Sequence, residues 1–274
     1  MRYFRESEGG SPARLTATRS RAARPIAFLA RVLGCLIACA SAGAADFPNH
    51  SAAEVPASSP GKPLVLAVHP YLPAPEIQRR FGPLADYLSR EMGRPVVVRV
   101  SIDYDEQIRL VGSNAVDLAY IGPVPYAHLV QRFGPVPILA RVQSNGRSDL
   151  VGLFVVRQDS ALQSLDQLRG KHLALGDAES TMSSVVPQYV LLQAGIRLED
   201  LGRVSRVPAH SNVLMGIVSG DFDAGAVRGD VFLEMANRGL RVIASTPAVP
   251  EHLFVARPEL PPADIQKLRQ RLQA

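Results

Sequence analysis

The sequence predicts an α/β protein of two lobes, each built on a mostly parallel sheet. Three observations lead there. Short apolar runs alternate with segments of helical spacing from residue 63 onward. The alternation comes in two blocks joined by extended segments. Each run-to-helix junction is a loop of the kind that carries the ligand in such folds, at the carboxyl ends of the strands.

In chain order, Leu64-Val65-Leu66-Ala67-Val68 reads as a strand buried on both faces. From Glu76 to Met92, the residues Ile77, Phe81, Leu84, Ala85, Leu88 and Met92 fall on one helical face, and Gly93 stands where a helix C-cap belongs. The spacing then predicts a strand over 96–100, a helix over 104–111, a strand over 117–121, a helix over 124–132 entered through Pro123, and a strand over 138–142. In the second block, strands are expected at 150–156, 172–175, 204–207, 224–227, 240–244 and 252–256. Helices are expected at 165–168, 183–194, 210–219, 231–237 and 262–272. Pro187 must lie early in the 183–194 helix or kink it.

Composition narrows the function classes. The formal charge is +5, but seven of the 30 basic residues and two of the 25 acidic ones precede residue 43, leaving 23 of each sign. The folded part is therefore neutral overall, and no nucleic-acid partner is expected. Trp is absent, which argues against a carbohydrate- or base-stacking site. Residues 1–45 read as a signal peptide: a basic region ending at Arg21 and Arg24, an apolar run from Ile26 to Ala40 interrupted by Arg31, and small residues at 40–45. That run is short for a membrane span. A single membrane anchor is one alternative. The other is lipid attachment at Cys39 within Leu36-Ile37-Ala38-Cys39. Both cysteines, Cys35 and Cys39, lie in this leader, so the processed chain would have no disulfide or thiolate site. Residues 46–62, rich in Pro, Ser and Ala, read as a flexible linker.

Four loops carry the candidate chemistry. Gly176-Asp177-Ala178-Glu179-Ser180-Thr181-Met182-Ser183-Ser184 follows a strand and opens a helix, with Gly176 at the turn. Its hydroxyls gather where the first helical N–H groups and the helix dipole favour an anion. N-capping by a single Ser explains many such clusters. His210 begins the next helix and can donate to an oxyanion there. Tyr120 ends a strand ahead of Gly122-Pro123, and Tyr71 follows the first strand. Either tyrosine can instead be core packing.

Taken together, Tyr120-Ile121-Gly122-Pro123, the Asp177-x-x-Ser180-Thr181 pattern, Ala209-His210, the Phe81–Leu88 helix and Asp223–Val227 resemble the phosphate/phosphite/phosphonate-binding periplasmic proteins of ABC transporters. The resemblance spans about residues 63–265. It implies a type II periplasmic-binding fold, with lobe 1 over 63–148, lobe 2 over 149–242, and 243–274 returning to lobe 1. Closure would occur by a hinge near 143–151 and 241–251. It further implies a small phosphorus oxyanion held by Ser180, Thr181, Ser183 and His210, with Tyr71 and Tyr120 from the facing lobe. A permease would be the partner, the chain would be a monomer, and no cofactor or metal would be needed. Three departures stand out. Met182 replaces a hydroxyl. Arg228 stands about where aminoalkylphosphonate binders place an acid, which favours a compact anion if its side chain turns inward rather than to solvent. The chain also ends soon after its last helix begins.

Two other classes compete. Asp177, Ser180 and His210 are the residue types of a hydrolase triad, but there is no G-x-S-x-G elbow and no H-x-x-x-H or acidic cluster for a metal. A ligand-binding module serving a membrane sensor has the same sequence requirements as a transport protein.

Overall fold

The structure is a computed structural model, and it describes residues 61–143 and 146–273. The leader with both cysteines, and the linker up to residue 60, lie outside the described residues. No described helix is long and apolar enough to cross a membrane.

Two five-stranded sheets organise the chain. The first takes β1 (Leu64–Val68), β2 (Val96–Val100), β3 (Leu118–Ile121), β4 (Ile138–Arg141) and β12 (Leu253–Ala256), in the order β2-β1-β3-β12-β4. The second takes β6 (Gly152–Arg157), β7 (His172–Leu175), β8 (Arg203–Arg206), β9 (Ala224–Arg228) and β10 (Leu240–Ser245), in the order β10-β6-β9-β7-β8. The two orders are the same pattern. In each sheet the first strand of a βαβαβ run lies between the second and the third. The antiparallel strand, β12 or β6, separates the third from the fourth. That antiparallel strand is the one arriving from the other sheet. The chain thus crosses between sheets twice, and β5 (Asp149–Leu150) on the first crossing pairs antiparallel with β11 (Val249–Pro250) on the second.

The elements follow from local chemistry. Helix α1 (Ala74–Met92) buries Ile77, Phe81, Ala85, Leu88 and Met92 at helical spacing and ends at Gly93 with φ +68°, a left-handed conformation that favours glycine. Helix α2 (Tyr104–Gly112) is capped by Asp103, whose carboxylate accepts from the Glu106 N–H at 2.6 Å. Helix α3 (Pro123–Phe133) starts on a proline, which has no N–H to lose there. The central strands β1 and β3 are buried on both faces, as crossover helices on each side of a parallel sheet require.

The 183–194 segment differs from expectation. It opens as a π-turn over Thr181–Val185, with the Val185 N–H reaching the Ser180 carbonyl at 3.0 Å, and only then becomes α4 (Val186–Gln193). Pro187 falls in the first turn of α4, where its missing N–H costs nothing. Helices α5 (His210–Ser219), α6 (Gly229–Met235) and α7 (Pro262–Leu272) complete the fold. The α7 helix is tied to the first sheet's layer by Arg94–Asp264 at 2.5 Å and Arg271–Glu91 at 2.9 Å.

Gly225 on β9 sets the spacing to α5. A Cβ there would stand 2.4 Å from Val213 Cγ1 and 3.0 Å from Ile217 Cδ1. Gly225→Ala is expected to lower stability by roughly 1–3 kcal/mol through overpacking. A urea unfolding curve checks this, and an unchanged midpoint would disprove the spacing role.

Candidate functional site

The carboxyl ends of both sheets' parallel strands face a common cavity of about 250 Å³ of empty space, part of it open to solvent. His69, Tyr71, Tyr104 and Gly122 line it from the first sheet's loops; Ser180, Thr181, Met182, His210 and Arg228 line it from the second's; Leu150 and His252 come from the two crossings. The side chains leave little free space between them, so the cavity suits a compact molecule.

Arg228, at the end of β9, is 7% exposed and points inward. Its Nε and Nη2 form a fork on the Asp230 carboxylate, with the Nε contact at 2.6 Å. Its guanidinium carbon lies 4.7 Å from the Tyr71 ring centre, and Nη1 reaches the Tyr120 hydroxyl at 3.5 Å. The fork leaves the Nη1 edge as the positive face of the cavity. Burial raises the Asp230 carboxyl, but the Arg228 contact more than reverses this, so the group is held below its ordinary value.

His210 opens α5 beneath Ala209, which holds a positive φ of 64°, unusual without a glycine. Its backbone N–H bonds the Tyr71 carbonyl at 2.9 Å, a direct link between the two sheets' loops. Its Nδ1 accepts the Arg228 backbone N–H at 3.0 Å. Burial, with the nearby Arg228 charge, pushes its pKa down to about 3.

Thr181 spans the same gap, its hydroxyl accepting the Val124 N–H at 3.1 Å. Ser180 is buried and receives the Ser183 hydroxyl at 2.8 Å. Ser183 therefore stands one layer behind the cavity and does not line it, unlike Ser180 and Thr181. Gly176 has a role different from the turn inferred for it. Its φ is not positive, but a Cβ there would stand 1.8 Å from Ser183 Oγ. Gly176→Ala is expected to displace Ser183 and Ser180 together, lowering stability by about 1–3 kcal/mol and weakening any ligand held by Ser180. Thermal melting with and without ligand measures both effects, and unchanged values would show that the turn tolerates a side chain.

Tyr120 lies in a cluster of three nearly parallel rings. Its ring centre is 4.5 Å from that of His252 and 5.6 Å from that of His69, with interplanar angles of 4° and 7°. Its carbonyl accepts Gln107 Nε2 at 2.9 Å and lies 3.2 Å from His69 Nδ1. His252 Nδ1 meets Glu251 Oε2 at 2.8 Å. Burial is the largest influence on all three of the cavity's histidines and lowers each below its ordinary value.

Of the residues named from sequence, Tyr71, Ser180, Thr181, His210 and Arg228 line the cavity, and Tyr120 borders it through Arg228. His69, Tyr104 and His252 were not anticipated. Tyr71 and His69 flank Pro70 in the same loop, so a reading that took whole loops would have reached His69. His252 lies just before β12, where the sequence shows only a strand start.

A family model described as the periplasmic substrate-binding protein of phosphonate ABC transporters matches residues 66–274. The phosphate-import protein PhnD of Mycolicibacterium smegmatis is 25% identical over 262 residues, covering 88% of this chain and 79% of the relative. Among solved structures, PhnD1 of Prochlorococcus marinus in complex with methylphosphonate superposes with a TM-score of 0.71 at 21% identity, covering 77% of this chain and 83% of that one. XAC2383 of Xanthomonas citri, solved bound to ATP, gives a TM-score of 0.61 at 27% identity, covering 77% and 82%. The two sheets and two crossings build the type II periplasmic-binding fold of these neighbours.

Proposed function

This chain belongs to the family of periplasmic substrate-binding proteins of phosphonate ABC transporters, and from that premise we propose that its cavity captures a compact phosphorus oxyanion: phosphate, phosphite or a small phosphonate. Members of the family bind a solute for a membrane permease and work outside the cytoplasm; they are not enzymes. The observation that carries the ligand reading is the inward-turned, forked Arg228 facing the Ser180–Thr181 turn across so small a space. Around the anion stand the Arg228 Nη1 edge, the His210 Nε2–H and the Ser180 and Thr181 hydroxyls, with Tyr71 and Tyr120 on the facing side. In that arrangement the ionised ligand oxygens exchange water for fixed donors. The hydrolase reading lacks support, since His210 gives its Nδ1 to a backbone N–H and no carboxylate orients it toward Ser180.

The two crossings, paired through β5 and β11, are the proposed hinge, so that residues 63–148 and 243–274 close on residues 149–242. Contacts bridging the gap, such as His210 N–H to Tyr71 O and Val124 N–H to Thr181 Oγ1, would form on closure. Export would proceed through the leader over residues 1–45, delivering a monomer to the permease.

Titration calorimetry of the processed chain tests the ligand assignment, with phosphate, phosphite and methylphosphonate as candidates and ATP as a bulky control. At least one of the three should bind, and Ser180→Ala with Thr181→Val should weaken it by about 10- to 100-fold, the loss of one or two hydrogen bonds to a charge. No binding by any of the three, or full binding by the double variant, would refute the assignment.

A further inference from the structure

The cavity's three histidines differ in which ring nitrogen carries the proton, and their partners decide it. The Tyr120 carbonyl can only accept, so His69 Nδ1 is the protonated nitrogen of that ring. Glu251 is kept ionised: burial raises its carboxyl, but the His252 contacts draw it below its ordinary value. His252 Nδ1 therefore donates to it at 2.8 Å. The Arg228 backbone N–H can only donate, so His210 Nδ1 is bare. In the neutral rings that burial enforces, the other nitrogen follows. Nε2 of His210 is a donor, whereas Nε2 of His69 and of His252 are bare acceptors. The His252 acceptor faces the Gly122–Thr181 wall: a Cβ placed on Gly122 would stand 3.3 Å from His252 Nε2 and 3.3 Å from Thr181 Oγ1.

A fully ionised anion would meet that acceptor with lone pairs against a lone pair. The charges around it do not relieve the conflict. Those bearing on His252 are Glu251 on its own crossing and Arg228 with Asp230 at the β9–α6 turn, so Arg228 is matched by one carboxylate and Glu251 adds a second. The neutral His69 ring lies nearly parallel to it, 5.3 Å away, and its bare nitrogen brings no proton.

We infer that the cavity selects an oxyanion that still carries a proton, and that the ligand's P–OH donates to Nε2 of His252. The inference rests on the oxyanion reading above and adds its specificity. Glu251 holds the ring in the accepting tautomer, and is thus a positioning residue. Anions of similar shape without a proton, the sulfonates and sulfate, are rejected because they leave the buried acceptor unpaired.

Methylphosphonate and methanesulfonate form the test pair. Just below the second ionisation of the phosphonate both are monoanions of nearly the same shape, and only the first has a hydroxyl. Calorimetry on the processed chain is expected to show methylphosphonate bound about a hundredfold tighter or more. In His252→Phe, which keeps a ring in the cluster, that ratio should fall at least tenfold, with thermal melting checking the fold. Phosphate against sulfate, run alongside, should follow the same order. Equal affinity for methylphosphonate and methanesulfonate overturns the inference and leaves oxyanion capture standing. A ratio unchanged in a folded His252→Phe protein overturns it as well, because the selection would then lie elsewhere. Failure of phosphate, phosphite and methylphosphonate alike to bind removes the reading on which it rests. If His252→Phe does not fold, the wild-type ratio alone decides.

Discussion

Arg228→Met is expected to abolish ligand capture while leaving the chain folded. Arg228 is the cation that lines the cavity, and its guanidinium is fixed on two sides, by the Asp230 fork and by the Tyr71 ring. A preorganised donor of this kind loses little entropy when it binds an anion. Each charge-assisted hydrogen bond it makes contributes roughly 1.5–3 kcal/mol. Losing one or two such bonds, with the charge itself, predicts affinity weaker by about a hundredfold or more. Stability should move far less. Met fills similar space without the desolvation cost of a buried guanidinium, and the Asp230 side chain, 50% exposed, recovers water when its partner goes. Arg228→Lys should also bind poorly, because an ammonium cannot fork Asp230, stack on Tyr71 and face the ligand at once. Calorimetry and thermal melting on the three proteins separate the two quantities. An Arg228→Met protein that binds within a few-fold of wild type would show that the hydroxyls and His210 hold the anion without it.

The strands and most helices were legible because parallel strands buried on both faces leave continuous apolar runs, and because α1 repeats its apolar residues at helical spacing. The loops facing the cavity were legible from the rule that α/β folds carry ligands at the carboxyl ends of strands. The cavity's acceptor side was not. His252 and Glu251 ride on the second crossing, and a connection between sheets has no periodic signal. Their neighbours Tyr120 and Arg228 are 132 and 24 residues away in the chain, and only the sheet order β3-β12 brings His252 to the Tyr120 ring. The π-turn at Thr181 was also invisible. There Ser183 packs against Gly176, whose missing side chain leaves the space for the Ser183 hydroxyl. A run of Ser and Thr at a helix start reads the same whether each hydroxyl faces a ligand or, like that of Ser183, faces another serine.

Unliganded protein should lose stability steeply as the pH falls from neutral, well before its carboxylates titrate. His69, His210 and His252 are buried, and burial holds each below its ordinary value near 6.5. Below that value the unfolded chain takes up protons that the folded chain refuses, so stability is full above about 6.5 and falls with pH toward the depressed folded values, about 3 for His210. Each such histidine sets a slope of about 1.4 kcal/mol per pH unit once the pH is well inside this window. Between roughly pH 7 and 5.5, His210 alone should remove about 1 kcal/mol, a fall of roughly 2–4 °C in melting temperature, and His69 and His252, lowered in the same direction, add to it. The hydrogen-bonding partners oppose any rescue. Protonating His210 would set an N–H against the Arg228 N–H, and protonating His69 would bring a second charge toward Arg228. At lower pH, Glu251 and Asp230, both held below their ordinary values, extend the loss, while Asp177, raised chiefly by burial, works the other way. Melting curves in buffers free of phosphorus and sulfur oxyanions measure the slope, and His69→Gln should flatten it by one histidine's share. A melting temperature that stays level over this interval would mean that at least two of the three rings are open to water and charged in the folded chain, and the neutral, tautomer-sorted cavity would have to be abandoned.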